Sequence, residues 1–134
     1  MKKLLIIILA IYANFAFGQV QNDVKHLKTE RSEEIYEDVE NIAQFPGGIN
    51  AFRTEFMRNF RGRKVIGTGE ISSDITFIIE KDGVLGEVRI IGNNASFNTE
   101  ADRAIKKIKQ KWTPGNINGV NVRYRYRMPI RIAL

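Results

Sequence analysis

Asp74-Ile75-Thr76-Phe77-Ile78-Ile79-Glu80 is β-branched and apolar, Lys81-Asp82-Gly83 reads as a turn, and Val84 to Ile91 resumes strand character. Asp82-Gly83 supplies residues that tolerate positive φ in a tight hairpin, so two antiparallel strands are expected. The first strand is apolar on both faces, with Ile75, Phe77 and Ile79 on one and Ile78 on the other. The second puts Val88 and Ile90 on one face and Glu87, Arg89 and Ile91 on the other.

Downstream, Gly92-Asn93-Asn94 ends the second strand, and a helix is expected from about Asn98 or Thr99, either of which can cap it. Phe97, Ala101, Ala104, Ile105 and Ile108 make one apolar stripe that Trp112 continues. Lys106, Lys107, Lys109 and Lys111 gather near its end, where a helix dipole favours cations. Pro114-Gly115 and Asn118-Gly119 punctuate the return to a last strand. There Val120, Val122, Tyr124, Tyr126, Met128, Ile130 and Ile132 alternate with Asn121, Arg123, Arg125, Arg127, Pro129 and Arg131. Strict period-two alternation is the signature of a half-buried strand.

Upstream, Phe45-Pro46-Gly47-Gly48 is a break. Ile49, Phe52, Phe56 and Phe60 follow at three- and four-residue steps, giving an amphipathic helix over roughly 48–60 with its Phe residues as core anchors. Residues 61–73 read as a connection. Gly67-Thr68-Gly69 lacks the third Gly and the flanking strand and helix of a dinucleotide site. Residues 35–45 carry Ile35, Val39 and Ile42 among acids and suit either a helical turn or an extended stretch. Residues 19–34 are polar and mixed in charge, so 19–44 reads as a flexible charged lead-in containing His26.

The order α-β-β-α-β predicts an α+β fold. A small antiparallel three-stranded sheet is expected, with the first strand between the second and the last (order 2-1-3) and two helices on one face. The last strand then lies at an edge. Pro129 and the Arg row are edge defences, and residues 120–128 are left able to accept a partner strand.

The 134 residues carry 21 basic and 15 acidic side chains, no Cys, one His and three Pro, and 43% are apolar. One domain fits this length. Without Cys there is no disulfide framework, thiolate metal site or Cys nucleophile, and a single His excludes a His-pair metal site. No catalytic residue, metal or cofactor is expected. Glu100 and Asp102, two apart on a helix, do not face each other as an acid/base pair. At the N-terminus, Met1-Lys2-Lys3 precedes an almost unbroken apolar run from Leu4 to Phe17, and Ala16-Phe17-Gly18 offers small residues for cleavage before Gln19. Residues 1–18 therefore read as a signal peptide and the protein as exported. As a helix the run spans roughly 21 Å, short of the roughly 30 Å hydrocarbon core that a stable transmembrane helix must cross, which favours the signal peptide; a short, uncleaved inner-membrane anchor is the alternative. Removing Lys2 and Lys3 lowers the formal charge from +6 to +4.

Phe45-Pro46-Gly47-Gly48, Phe77 to Gly83, Glu100 to Ile105, Lys111-Trp112-Thr113-Pro114-Gly115, Asn118-Gly119 and Tyr126-Arg127-Met128-Pro129-Ile130, in this order and spacing, resemble the C-terminal domain of TonB in its Bacteroidetes-type energy-transducer form. The resemblance covers about residues 45–134. It implies a periplasmic domain that binds outer-membrane TonB-dependent receptors by adding their TonB-box segment to its last strand, here along Val120–Met128. It also implies structural roles for Trp112, Pro114 and Gly115 in the turn that positions that strand. Motor subunits of the inner membrane enter only with an uncleaved N-terminus, because cleavage severs that mechanical link. The chain departs from the family pattern in two places. It has no Pro-rich spacer, and it reads Phe60-Arg61-Gly62-Arg63-Lys64 where Tyr-Pro is usual. The alternative function is an envelope-structural protein whose Arg row holds anionic glycan or lipid, and for that row a solvated sheet face is a third reading. The edge strand also allows a homodimer. Nucleic acid is not expected, because Tyr124 and Tyr126 alternate away from the Arg residues.

Overall fold

The computed structural model describes residues 34–134. The expected signal peptide, its cleavage site and His26 lie outside the described residues. Along the chain run β1 (Ile35–Tyr36), α1 (Ile49–Asn59), a 3-10 turn (Gly62–Lys64), β2 (Glu70–Ile79), β3 (Leu85–Gly92), α2 (Ala95–Lys106), β4 (Gly115–Ile117) and β5 (Val120–Ala133).

The hairpin forms where the Asp-Gly pair stands. Gly83 N–H donates to Glu80 O at 2.9 Å and Glu80 N–H to Val84 O at 2.9 Å. Gly83 sits at φ 85°, a region where a Cβ is strained, and the Asp82 carboxylate accepts from Val84 N–H at 3.1 Å. Further along, Ile78 pairs with Gly86 but Thr76 with Arg89, so β3 carries one extra residue, a bulge in which Glu87 adopts φ 45°.

The fold is α+β with two helices. The sheet, however, is five-stranded and mixed, which corrects the expected three-stranded antiparallel sheet. The strand order is β1-β5-β2-β3, with β4 also on β5. β2 pairs antiparallel with both β3 and β5, β4 pairs antiparallel with β5, and β1 pairs parallel with β5. The added strands, β1 and β4, are two and three residues long. That is too short for alternation to register, and they exist as strands only because β5 supplies hydrogen bonds.

The odd-numbered face of β2 (Ile71, Ser73, Ile75, Phe77 and Ile79) is buried. It meets Phe52 and Phe56 of α1 and Phe97, Ala101, Ala104 and Ile105 of α2 in a single core. Trp112 lies among Phe45, Phe52, Phe77 and Tyr126, with ring centroids 4.9 to 5.5 Å apart. Such aromatic contacts each add about 0.5–1.5 kcal/mol beyond the area they bury. Residues 35–134 form one compact unit, so the segment 35–44 belongs to it. There Ala43 is buried, and Asn41 and Gln44 bridge to Asn116 and Thr113.

α2 begins earlier than the stripe suggested. Its N-cap is Asn94, whose Oδ1 accepts from Phe97 N–H at 2.9 Å, rather than Asn98 or Thr99. Asn98, inside the helix, instead ties the sheet together: its amide donates to Gly92 O at 3.0 Å, and its carbonyl accepts from Ser73 Oγ at 3.1 Å. The helix also ends earlier, at Lys106, so Lys109, Lys111 and Trp112 are not helical.

Candidate functional site

The expected pairing edge runs from Val120 to Met128, and the structure divides it. Val120, Asn121 and Val122 face Ile117, Asn116 and Gly115 of β4. Arg123 and Tyr124 face Ile35 and Tyr36 of β1. From Arg125 onward, β5 pairs only with β2 among the described residues, on one side. The open side of β5 is therefore Arg125–Ala133, which keeps Arg125, Tyr126, Arg127 and Met128 from the expected edge and extends it to the end of the strand.

The two faces of this edge differ. Toward the helices, Met128 and Tyr124 are buried, and Tyr126 stacks on Phe77 with ring planes 5° apart and centroids 5.4 Å apart. Burial raises the phenol pKa of both Tyr124 and Tyr126. On the opposite face every Arg of the row meets an acid. Arg123 binds Glu80 through Nε at 2.8 Å and Nη2 at 3.1 Å, and reaches Glu87 at 3.3 Å. Arg125 binds Glu37 at 2.7 Å, Arg127 reaches Asp74 at 3.4 Å and Arg131 reaches Glu70 at 3.6 Å. The Arg127 and Arg131 side chains are 71% and 72% exposed, so those two pairs are screened and each contributes about 0–1 kcal/mol. The row is a neutralised ladder rather than a bare cationic strip.

The remaining sequence-singled residues assemble around Trp112. Phe45 packs its ring against Trp112 at 5.4 Å, and the turn Pro46-Gly47 closes through Gly48 N–H donating to Phe45 O at 2.7 Å. Gly47 and Gly48 both take positive φ, and Gly48 is the α1 N-cap without a side-chain bond. Trp112 N–H donates to Gly83 O at 2.9 Å. Past the half-buried Pro114, a Cβ on Gly115 would stand 3.0 Å from that of Tyr124. Phe45, Gly83, Trp112, Pro114 and Gly115 thus form the support of the β4–β5 corner. The Trp112 indole N–H is buried with no hydrogen-bond partner among the described residues.

A buried carboxylate lies elsewhere. Glu100 accepts from both Arg103 Nε, at 3.0 Å, and Arg103 Nη2, and from Arg61 N–H at 2.8 Å, while Arg103 donates to Asn59 O at 2.6 Å. The Arg103 guanidinium, then the Arg61 amide, hold the Glu100 carboxyl down at about 2 despite burial. This cluster joins the end of α1 to α2. Asp102 turns to Lys106 at 2.8 Å, so it does not join Glu100. Among the described residues, no group of three or more His, Cys, Asp or Glu side chains could hold a metal.

Sequence reasoning missed β1, Glu37 as partner of Arg125, and the Asn94 cap. Only Asn94 carried a local signal, an Asn three residues before a buried Phe. Compared with known proteins, the chain matches no family model, no curated protein and no solved structure.

Proposed function

We propose that this chain is a TonB C-terminal-like binding module that captures an extended segment of an outer-membrane receptor by strand addition, in association with TonB-dependent transport. The reading takes β3-β2-β5 as a three-stranded antiparallel core with both helices on one face. It takes residues 1–18 as the export signal that delivers the module to the periplasm. The observation that carries it is the side of β5 from Arg125 to Ala133 on which no strand pairs among the described residues, an edge beside a buried face. Main-chain bonds supply the affinity in such a mode, and alternate side chains supply the selection. An incoming strand here would lay apolar residues beside Tyr126 and Ile130 and polar ones beside Arg127 and Arg131. The acid partners of the Arg row weigh against the alternative of a polyanion-binding envelope protein.

The test is a photo-crosslinking residue placed at Arg127 of the full chain in its native cell, with Arg58 on the exposed side of α1 as control. The expected product is an adduct to an extended periplasmic segment of an outer-membrane receptor, formed from position 127 alone. Adducts only to glycan or lipid, only to a second copy of the chain, or equal from both positions would overturn the reading.

A further inference from the structure

The lysines that follow α2 have no part in the strand-addition site. A helix reaching Trp112 would explain all four as cations at a dipole's negative end, but α2 stops at Lys106 with Lys107 as its C-cap. A helix dipole acts over little more than its last turn, and Lys109 and Lys111 lie beyond that in non-helical chain. Lys106 is answered by Asp102 at 2.8 Å. Lys107, Lys109 and Lys111 have no acid within ion-pair distance among the described residues, whereas each Arg of the β5 row has one. Three ammonium groups without an acid partner among the described residues therefore lie within the five residues 107–111.

These lysines stand beside a groove. Between the start of β3 and the end of α2 is a cavity of about 200 Å³, lined by Leu85, Val88, Ile105 and Ile108, with Lys109 and Lys111 at its rim. A dry cavity of about 150 Å³ takes a benzene molecule, so this one has room for a single bulky side chain. Val84, at its mouth, is 44% exposed. β3 is the terminal strand of the sheet and pairs only with β2 among the described residues, so its outer side is open. Glu87 also lines the groove, but its carboxylate is 3.3 Å from Arg123, so its charge is already matched.

We propose that this groove docks an acidic, extended segment of a partner protein. One apolar side chain of the segment seats over Leu85, Val88 and Ile108, and flanking carboxylates meet Lys109 and Lys111. The occupant follows from the two parts together. Unmatched ammonium groups call for anionic groups, and an apolar floor calls for a side chain that a phosphate polymer or glycan does not carry. The site is independent of the β5 reading, because β3 ends the sheet opposite β1, and both ends can be occupied at once.

The test uses the full chain in a mild non-ionic detergent and fluorescence anisotropy. The labelled octapeptide is Asp-Ile-Asp-Ile-Asp-Ile-Asp-Ile, and the control replaces every Ile by Ser. The Ile peptide is expected to bind at least about tenfold more tightly than the Ser peptide, as seating one aliphatic side chain implies, and to weaken with salt. Lys109→Glu with Lys111→Glu should weaken it at least about tenfold, as should Val84→Asp. Arg63→Glu with Lys64→Glu, the same charge change at an exposed turn, should leave it unchanged. Circular dichroism and melting temperature should be unaltered in the lysine variant. The proposal is overturned if the Ile peptide does not bind, if both peptides bind equally, if inorganic polyphosphate displaces the Ile peptide at equal charge, or if the Arg63/Lys64 variant loses as much binding.

Discussion

Trp112 and Gly83 are locked backbone to backbone. The Trp112 amide donates to Gly83 O at 2.9 Å, and a Cβ on Gly83 would fall 2.0 Å from the Trp112 carbonyl oxygen. The β2–β3 turn and the chain that leads into β4 therefore approach as closely as a glycine allows. The Trp112 ring, immediately beyond, is buried among four other aromatic rings.

Gly83→Ala is expected to destabilise by roughly 2 kcal/mol or more, because positive φ and the clash with Trp112 O act together. Gly119→Ala, also at positive φ but with open space around it, should cost about 1 kcal/mol from backbone strain alone. Denaturant melts of the two variants measure the difference. Equal costs would remove the close approach as a source of specificity.

Glu100→Gln is expected to cost about 1–3 kcal/mol at neutral pH, since the Arg61 amide and Arg103 lose a charged acceptor. The folded carboxyl is held at about 2 against an ordinary 4.5, so its contribution is fully present above pH 4.5 and disappears as pH falls toward 2. Wild type should converge on Glu100→Gln across that window. A constant difference down to pH 2 would assign the loss to packing rather than charge.

Asn94→Ala should cost about 1 kcal/mol as the loss of an N-cap, and more if the bond from its Nδ2 to Ile66 O at 2.8 Å also matters. Thr99→Ala, at the other residue the sequence offers as a cap, should change stability by only a few tenths of a kcal/mol. Thermal unfolding with helix content followed at 222 nm (roughly the α-helical minimum) separates them.

Replacing Ile35 and Tyr36 by Gly should free the side of β5 at Arg123 and Tyr124. Hydrogen exchange of backbone amides there is expected to rise, with a stability loss of about 1–2 kcal/mol from a two-residue strand with half-buried side chains. If exchange stays slow, β1 does not cover that edge in solution.

Local chemistry made much of this protein legible in its sequence. The β2–β3 hairpin follows from β-branched runs on either side of Asp82-Gly83, and α1 from Phe52 and Phe56 at helical spacing after Pro46-Gly47-Gly48. β5 follows from unbroken alternation, which also put the Tyr and Arg residues on opposite faces. Each of these signals is carried by side chains close together in the chain, and a physical period reports them directly. What the tertiary structure decided is how distant segments use those elements. Ile35–Tyr36 and Gly115–Ile117 have too few residues to show a period and become strands only against β5, so the open edge moved to Arg125–Ala133. The Arg row looked bare because its acids, Glu37, Glu70, Asp74, Glu80 and Glu87, are remote in sequence and meet it only through cross-strand register and the fold of the N-terminal segment. α2 stopped short of Trp112 because its backbone amide is held by Gly83 O and its indole ring by an aromatic cluster from four other segments, a pull that helical periodicity does not record.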